Sequence, residues 1–239
     1  MLEFRSVSFS YEAGIPVIDA LSFSIHKGES VGLIGANGAG KSTIMKLMLG
    51  LLQGKGQIFV DSLPVEKKNL PVTRQKIGFV LQDSDNQMFM PTVYEDMIFG
   101  PLNYGLSKEE VEKRVDRVLR DLHLEELKYR HNHKLSGGEK RMAAIATILA
   151  MEPEMVVMDE PSTALDPCNR RAVINTINRL PQTKLIASHD LDMILDTCQR
   201  VLLLSHGHIA ADGDANTILR DKELLEANRM ELPFCLQRK

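Results

Sequence analysis

The sequence predicts an α/β fold, a mostly parallel sheet wrapped by helices, because short apolar runs alternate with helical patterns along most of its 239 residues. A glycine-rich turn lies between one apolar run and a helix-like stretch, an arrangement that suits phosphate binding. Hydrophobic residues make up 44% and charged residues 26% of the chain, which excludes disordered, collagen-like and membrane-spanning classes. The chain is long enough to bury its own core without disulfide or metal staples.

The first third predicts an antiparallel pair of strands followed by a buried strand. Apolar residues alternate over Leu2–Phe9 and again over residues 21–25, with turn signals at Gly14 and Pro16 between them. Residues 31–34 form a continuous apolar run bounded by glycines, typical of a strand buried on both faces. A helix is expected to follow over residues 41–52.

The remaining two thirds predict more strands of the sheet and a helical insertion. Capping boxes at Ser107 and Glu110 and at Ser136 and Glu139 each precede apolar residues at helical spacing. We therefore expect one domain, with a core over residues 1–87 and 151–220, a helical insertion over 88–150 and a tail over 221–239. Further strands of the mostly parallel sheet are expected at residues 58–60, 77–81, 155–158, 184–187 and 201–204.

The glycine-rich turn, GANGAGKS at residues 35–42, satisfies the pattern GxxxxGK[ST] between a predicted strand and a predicted helix. Glycines let backbone N–H groups converge on phosphate oxygens, Lys41 can reach the β- and γ-phosphates, and the Ser42 hydroxyl can ligate Mg²⁺. The alternative is a glycine-rich turn with no ligand. The predicted nucleotide contacts are Gly35, Ala36, Asn37, Gly38, Ala39, Gly40, Lys41, Ser42 and Thr43.

Two carboxylates end the apolar run at residues 155–158 and predict a metal partner for the phosphate groups. From its place at the strand end, Asp159 would hold Mg²⁺ directly or through water. Glu160 would then polarise the attacking water. Taken alone, this pair could equally be an ordinary polar strand end, but together with the glycine-rich loop it predicts phosphoryl-transfer chemistry.

The segment LSGGE at residues 135–139 resembles the signature of the ATP-binding-cassette (ABC) ATPases. The resemblance runs over almost the whole chain and adds Tyr11 for stacking on adenine, Gln82 of the Q-loop, Asp166 of the D-loop and His189 of the H-loop. It implies a P-loop ATPase core of the RecA-like type with an antiparallel β subdomain and an inserted helical subdomain. It also implies ATP and Mg²⁺ as ligands, and hydrolysis as the reaction.

Several of these residues keep a simpler interpretation beside the one that the resemblance implies. Tyr11 could be a surface aromatic, and Gln82 could be an ordinary polar loop residue rather than a group that reaches Mg²⁺ or water. His189 follows a predicted strand and could donate to a γ-phosphate or accept from the water that Glu160 orients. The resemblance favours the functional role in each case.

The chain holds one phosphate loop and one signature, which implies a dimer. In the family, the signature of one subunit contacts the γ-phosphate that is bound to the other subunit. Ser136, Gly137, Gly138 and Glu139 are therefore expected to act in trans across two ATP molecules, most simply between two identical chains. Glu139 stands where Gln is more usual, but a Glu suits the capping box, so we expect little functional loss.

Residues 82–107 resemble the ATPases of energy-coupling-factor importers, which take up vitamins or transition metals. Residues 150–154 and 231–233 are similar to the cobalt/nickel branch of those importers. The resemblance implies integral-membrane partner subunits and a peripheral place on the cytoplasmic face of the membrane. Met88, Phe89 and Met90 are expected to form an exposed apolar cluster that docks a partner helix; the alternative is a loop tucked onto the helical subdomain.

Charge and composition narrow the possible partners and functions of the chain. The net charge is −3 and the basic residues are scattered, so no nucleic-acid partner is expected. Three cysteines at wide spacing fit reduced thiols in the cytoplasm, and the His131/His133 and His206/His208 pairs lack the further ligands of a metal site. The rival functions are an ABC ATPase without a transporter, a small-molecule kinase and a regulatory nucleotide binder.

Overall fold

The computed structural model describes residues 1–12 and 14–237 of the chain, and the strands and helices alternate over most of that length. The strands are β1 (Leu2–Phe9), β2 (Ile18–Ile25), β3 (Ser30–Ile34), β4 (Lys55–Val60), β5 (Leu63–Pro64), β6 (Ile77–Val80), β7 (Met155–Asp159), β8 (Thr183–Ala187), β9 (Arg200–Ser205) and β10 (His208–Asp214). The helices are α1 (Lys41–Met48), α2 (Leu70–Lys76), α3 (Val93–Asn103), α4 (Lys108–Leu122), α5 (Gly137–Leu149), α6 (Pro167–Arg179), α7 (Leu191–Thr197), α8 (Ala215–Arg220), α9 (Lys222–Ala227) and α10 (Phe234–Gln237).

The strands form two sheets, and the larger one confirms the α/β prediction. Its six strands lie in the order β10-β9-β3-β8-β7-β6 and are parallel except for β10, which pairs antiparallel with β9. Ser30–Ile34 is buried at every position, as expected of a strand covered on both faces. Because parallel strands end at the same edge of a sheet, the loops after β3, β6, β7 and β8 meet at one edge.

The second sheet is antiparallel, with strand order β2-β1-β4-β5, and it confirms the predicted N-terminal pair. The prediction that residues 58–60 belong to the parallel sheet is wrong, because β4 pairs antiparallel with β1. The apolar run alone could not distinguish the two sheets. One hydrophobic cluster fills the space between the sheets and α1, including Phe4 stacked on Phe23 with ring centroids 4.6 Å apart.

Helix α1 is shorter than the predicted helix over residues 41–52, because it ends at Met48. Gly50 adopts φ +62°, a left-handed conformation that turns the chain out of the helix, and the backbone N–H of Leu51 returns to the Lys46 carbonyl. The apolar residues 49–52 continue the helical spacing without continuing the helix. This is the usual limit of periodicity, which does not show where a helix stops.

Between β6 and β7 the chain forms α3, α4, α5 and two 3-10 turns, Glu125–Leu127 and Asn132–Lys134. Both predicted capping boxes are present, at the start of α4 and of α5, and a third caps α3 at Thr92 and Glu95. One side of α4 is buried through Val111, Val115 and Leu119. Within the described residues, no helix has the length and apolarity needed to cross a membrane.

The C-terminal segment packs against the core rather than extending away from it. Leu225 of α9 is fully buried. The backbone N–H groups of Phe234 and Cys235 both donate to the Asp192 carboxylate of α7, at 2.9 Å each. Together with the loop at residues 35–37, this segment borders a cavity of about 910 Å³ beside the D-loop and His189.

Candidate active site

A cleft of about 620 Å³ lies at the carboxyl edge of the parallel sheet and collects most of the predicted site residues. It is bordered by side chains from five separate loops and strand ends. Its lining comprises Tyr11, Val17, Asn37, Gly38, Ala39, Gly40, Lys41, Ser42, Thr43, Gln82, Asp159, Glu160 and His189. Gly35 and Ala36 lie in the same loop but line the neighbouring cavity.

The glycine-rich loop connects β3 to α1 and has the geometry of a phosphate cradle. Gly38 and Gly40 adopt φ values of +80° and +110°, which side chains rarely allow, and α1 begins directly at Lys41. A Cβ on Gly35 would overlap the backbone carbonyl of Leu204 on β9. The sequence therefore needs glycine here both for the turn and for close packing against the sheet.

The Lys41 ammonium is folded onto its own loop, where it donates to the carbonyls of Gly35 at 2.6 Å and Ala36 at 3.2 Å. Burial lowers the pKa of Lys41, while the carboxylates of Glu160 and Asp159 raise it. Within the described residues, the hydrogen-bond acceptors of this partly buried ammonium are two backbone carbonyls. Phosphate oxygens offer it a stronger, charge-assisted set of acceptors.

Asp159, at the end of β7, lies beside Glu160 and within reach of Ser42. Burial and the neighbouring Glu160 charge raise the pKa of Asp159, and Lys41, Lys46 and the Ser42 hydroxyl oppose that change. Two carboxylates at the end of one strand repel each other, and hard oxygen donors are the ligands that Mg²⁺ prefers. The residues therefore fit a magnesium ion held through Ser42 and Asp159, with Gln82 lining the same cleft after the neighbouring strand β6.

Glu160 is buried and its carboxylate is held by two hydrogen-bond donors. It accepts from the Ser188 hydroxyl at 3.0 Å and from the backbone N–H of His189 at 3.1 Å. The His189 ring lies close to the same carboxylate, with Nδ1 2.8 Å from Glu160 Oε2. Glu160 also has φ +47°, a strained value for a non-glycine residue in an otherwise regular strand end.

Gln82 presents an exposed side chain to the cleft while its backbone is tied to α5. The buried Arg141 guanidinium donates to the carbonyls of Leu81, at 2.7 Å, and Gln82. Gln87 accepts from the Leu81 N–H at 2.9 Å and donates to the Ala144 carbonyl at 2.7 Å. Neither Arg141 nor Gln87 was predicted as a site residue from the sequence. An arginine among the apolar positions of α5 is the signal that could have identified Arg141.

Tyr11 lies at the mouth of the cleft, 57% exposed, with its ring edge-to-face against Phe9 and its hydroxyl 3.3 Å from Thr43 Oγ1. An open aromatic face at this position can accept a base by stacking. Thr43 itself is buried, so its contact with a nucleotide would run through the backbone or the hydroxyl that Tyr11 shares.

The signature lies outside this cleft, at the start of α5. Ser136 caps the helix: its hydroxyl accepts from the Glu139 N–H at 3.3 Å, and Glu139 accepts from the Ser136 N–H at 2.8 Å. Arg130 holds the other Glu139 oxygen at 2.7 Å. Gly137 is open, whereas a Cβ on Gly138 would overlap the Asn169 side chain. The structure therefore does not bring the signature to the phosphate loop of its own chain.

Asp166 of the D-loop caps α6 and meets the signature through one residue. Its carboxylate accepts from the backbone N–H groups of Cys168 at 2.9 Å and Asn169 at 3.0 Å, and also from the Asn169 side chain that covers Gly138. This contact, which no sequence pattern predicted, joins the signature and the D-loop on one surface of the chain.

Two further predictions concern the apolar cluster at residues 88–90 and the histidine pair at residues 131 and 133. Phe89 is 63% exposed and lies edge-to-face with Phe99 at 5.0 Å, but Met88 is buried in the core, so the predicted cluster of Met88, Phe89 and Met90 is wrong in that member. Met88 packs inward because the loop turns back onto α3. The His131 and His133 rings lie 5.4 Å apart, and the described residues contain no group of three or more His, Cys, Asp or Glu side chains arranged to hold a metal.

A family model described as ABC transporter matches residues 18–163, more than half of the chain. The chain belongs to the ABC transporter ATP-binding family. It is an ATP-binding cassette, which hydrolyses ATP. The cleft of this cassette thus contains the phosphate loop, the paired carboxylates and the Q- and H-loop side chains in one continuous surface.

Relatives of this cassette cover nearly all of it. An ATP-binding protein of Geobacter sulfurreducens, provisionally named as part of an ABC transporter, is 43% identical over 99% of this chain and 96% of its own length. The energy-coupling factor transporter ATP-binding protein EcfA of Methanothermobacter thermautotrophicus is 41% identical over 98% of this chain and 77% of its own length.

Two solved structures share the fold with sequence identities of 32% and 26%. The structure of cbiO1 from Clostridium perfringens, described as part of the ABC transporter complex cbiONQ, has a TM-score of 0.85 at 32% identity and covers 99% of this chain and 97% of its own. A dimeric ATP-binding cassette in a post-hydrolysis state, bound to ADP and Pi, has a TM-score of 0.79 at 26% identity and covers 90% of this chain and 99% of its own.

Proposed function

We propose that this ATP-binding cassette drives an import complex of the energy-coupling-factor type and that the cargo is cobalt or nickel ions. The similarity to EcfA supports the importer class, and the similarity to cbiO1, part of the cbiONQ complex, supports the branch. Residues 82–107 carry the same resemblance in the sequence. Vitamin uptake through an energy-coupling factor is the second candidate, because the EcfA name is not tied to a metal cargo.

The observation that carries the catalytic proposal is the Glu160 carboxylate held by Ser188 and His189 at the edge of the phosphate cleft. A fixed carboxylate can orient water for in-line attack on a γ-phosphate and accept its proton. We assign this role to Glu160, and assign His189 to orientation of Glu160 and contact with the γ-phosphate. Gln82 would contact the water or the metal from the carboxyl end of β6, the strand next to β7.

ATP would bind along Gly35 to Thr43, with the adenine on Tyr11 and the β- and γ-phosphates on Lys41. Mg²⁺, when bound at Ser42, Asp159 and Gln82, would supply charge neutralisation at the phosphates. When the phosphates bind, the Lys41 ammonium would exchange its hydrogen bonds to the Gly35 and Ala36 carbonyls for hydrogen bonds to phosphate oxygens. The backbone N–H groups of the loop would donate to the same phosphates.

The signature would act on the nucleotide of a second, identical subunit. Within one chain, Ser136 to Glu139 lie outside the nucleotide cleft, while the Ser136 N-cap and the following amides are placed at a helix start. Helix N-termini favour anions, so this surface suits a γ-phosphate presented by a partner. The dimeric cassette with ADP and Pi supports such an assembly for this chain.

Membrane coupling would use the exposed Phe89 and Phe99 pair as the docking surface for a helix of an integral-membrane subunit. A pair of exposed aromatic rings beside the polar loop 83–87 suits burial against an amphipathic helix. The cassette would then lie peripherally on the cytoplasmic face of the membrane. An ABC ATPase without a transporter has no need of such a surface.

The catalytic assignment is tested by Glu160→Gln. We expect Mg·ATP hydrolysis to slow by at least a hundredfold, since a positioned base contributes about 10² to 10⁴ in rate. ATP binding should persist and light scattering should detect an ATP-trapped dimer. Normal turnover in this variant would refute the role of Glu160, and a trapped species that remains monomeric would refute the trans arrangement.

The coupling assignment is tested by Phe89→Asp, with Tyr104→Asp, at another exposed aromatic of the same helical region, as the matched control. The chain is co-expressed with candidate integral-membrane subunits of an energy-coupling-factor importer, and complex assembly and the uptake of radioactive Co²⁺ and Ni²⁺ are measured. We expect Phe89→Asp to lose assembly and uptake while basal hydrolysis persists. Retained assembly would exclude the docking surface; assembly without cobalt or nickel uptake would exclude the cargo.

A further inference from the structure

A buried polar pair joins the loop that carries Phe89 to the segment that leads into the signature. Asp96 lies in the first turn of α3, and Asn132 begins the 3-10 turn before Ser136; each is 7% exposed. The Asn132 side-chain amide donates to Asp96 Oδ2 and, at 2.6 Å, to the Met90 carbonyl. Neither residue lines the nucleotide cleft.

The other oxygen of Asp96 holds the Phe89 loop. Asp96 Oδ1 accepts from the backbone N–H groups of Phe89 at 3.2 Å and Met90 at 3.1 Å. Burial raises the pKa of Asp96, while these hydrogen bonds and that from Asn132 lower it. Its donors in the described part of the chain are all neutral amides, so the carboxylate is buried without a salt-bridge partner. Burial of this carboxylate carries a desolvation cost, which its hydrogen bonds from the Phe89 and Met90 N–H groups and from Asn132 oppose.

The burial of the Asn132 side chain is also unfavourable in part. Its Oδ1 atom is buried and has no hydrogen-bond partner in the described chain, so the side chain gains only its two N–H bonds. Both residues therefore contribute geometry rather than favourable burial. That geometry connects two functional surfaces, the docking surface at Phe89 and the signature at Ser136.

The backbone continues the connection on both sides of the pair. Hydrogen bonds join residues 91–94 to residues 128–132, including the Asn132 N–H to the Pro91 carbonyl at 3.0 Å and the Tyr94 N–H to the Lys128 carbonyl at 2.8 Å. The Leu135 N–H then returns to the Asn132 carbonyl at 3.3 Å, directly before Ser136. A displacement of the Phe89 loop thus reaches Ser136 through packed, hydrogen-bonded groups with no free loop between them.

We propose that Asp96 and Asn132 are positioning residues that hold the signature serine at a fixed place relative to the Phe89 loop. This rests on the proposed function, which assigns Phe89 to docking and Ser136 to the partner's nucleotide. The pair touches neither nucleotide nor membrane partner and acts through Ser136. Its role is to couple the two surfaces, so that binding of the membrane partner at Phe89 and contact of Ser136 with the partner's nucleotide occur together.

The first test measures dimerisation in the Glu160→Gln background by sedimentation, with and without Asn132→Ala. We expect ATP-dependent dimerisation to weaken by about tenfold, the scale of one hydrogen bond to a charged group, with ATP affinity of the monomer unchanged. Ser107→Ala is the matched control, because it removes a capping hydrogen bond of α4 in the same helical region and has no contact with Ser136. It should lower the melting temperature and leave dimerisation unchanged.

A double-variant cycle separates positioning from general destabilisation. If Asn132 acts through Ser136, Asn132→Ala/Ser136→Ala should dimerise no more weakly than Ser136→Ala alone. Fully additive losses would overturn the proposal. Asp96→Asn, which keeps the shape of the side chain, should behave like Asn132→Ala; wild-type dimerisation in both single variants would also overturn it.

The second test uses the absence of tryptophan from the sequence. Phe89→Trp in the Glu160→Gln background places a single tryptophan on the docking loop, and we expect its emission, excited selectively above the tyrosine band, to change when ATP drives dimerisation. At protein concentrations that saturate the dimer, Asn132→Ala should abolish that change. Dimerisation without any change in the parent, or a change that survives Asn132→Ala, refutes the coupling alone. Failure of the parent to dimerise refutes the trans role of Ser136 on which the proposal rests.

Discussion

Removal of the Ser188 hydroxyl should slow hydrolysis without weakening nucleotide binding. Ser188 is fully buried, and its hydroxyl donates to Glu160 Oε2 at 3.0 Å and accepts from the Asp190 N–H at 3.1 Å. A hydrogen bond to a charged group contributes about 1.5–3 kcal/mol. At about 1.36 kcal/mol per factor of ten, full expression of that bond in the transition state corresponds to a fall in kcat of about 10- to 150-fold in Ser188→Ala.

The assay is steady-state Mg·ATP hydrolysis beside ATP binding to the same protein. Ser188 lies outside the phosphate loop, so we expect kcat to fall and ATP affinity to stay unchanged; Ser188→Thr, which retains a hydroxyl, should recover part of the rate. Because the serine acts through Glu160, Ser188→Ala/Glu160→Gln should be no slower than Glu160→Gln alone. A wild-type kcat in Ser188→Ala, or additive losses in the double variant, would refute the assigned role of the hydroxyl.

Two further predictions concern stability. Burial raises the pKa of Asp190, but the Arg170 guanidinium, at 2.6 and 2.7 Å, contributes to a net lowering, so Arg170→Met should destabilise the chain by about 2 kcal/mol at pH 7. That deficit should shrink in urea titrations as the pH falls through about 4, because a protonated Asp190 no longer needs the cation; an unchanged deficit at pH 3 would contradict the pairing. Gly138→Ala should lower stability by about 1–3 kcal/mol because its Cβ overlaps a side chain of α6. Gly137→Ala meets open space, and equal melting temperatures for the two variants would contradict the packing.

The candidate site residues at one strand end were predictable because two local signals coincide there. An apolar run predicts a buried parallel strand, and a polar residue directly after it must lie at the carboxyl edge of the sheet. Asp159 and Glu160 were predicted in this way, and the structure brings both to the cleft. The glycine-rich loop has the same property, since φ values such as +80° at Gly38 leave few alternatives to glycine.

Residues that act through long-range contacts were not predictable from periodicity. Arg141 reaches the Gln82 carbonyl across 59 positions of sequence, and Asn132 reaches Asp96 across 36. Nothing in a local pattern states which partner a polar side chain will meet. Met88 shows the converse, because an apolar residue in a polar loop looks exposed until the loop is seen to fold back.

The α/β class, the phosphate loop, the capping boxes and the resemblance to ABC ATPases can all be inferred from the amino-acid sequence, because each depends on backbone preferences or motif spacing within a few residues. Three features are visible only in the folded chain: β4 joins the antiparallel sheet, Ser188 and His189 hold the Glu160 carboxylate, and the signature of a chain lies away from its own cleft. Those facts depend on which distant segments pack together, and packing is set by the whole chain at once.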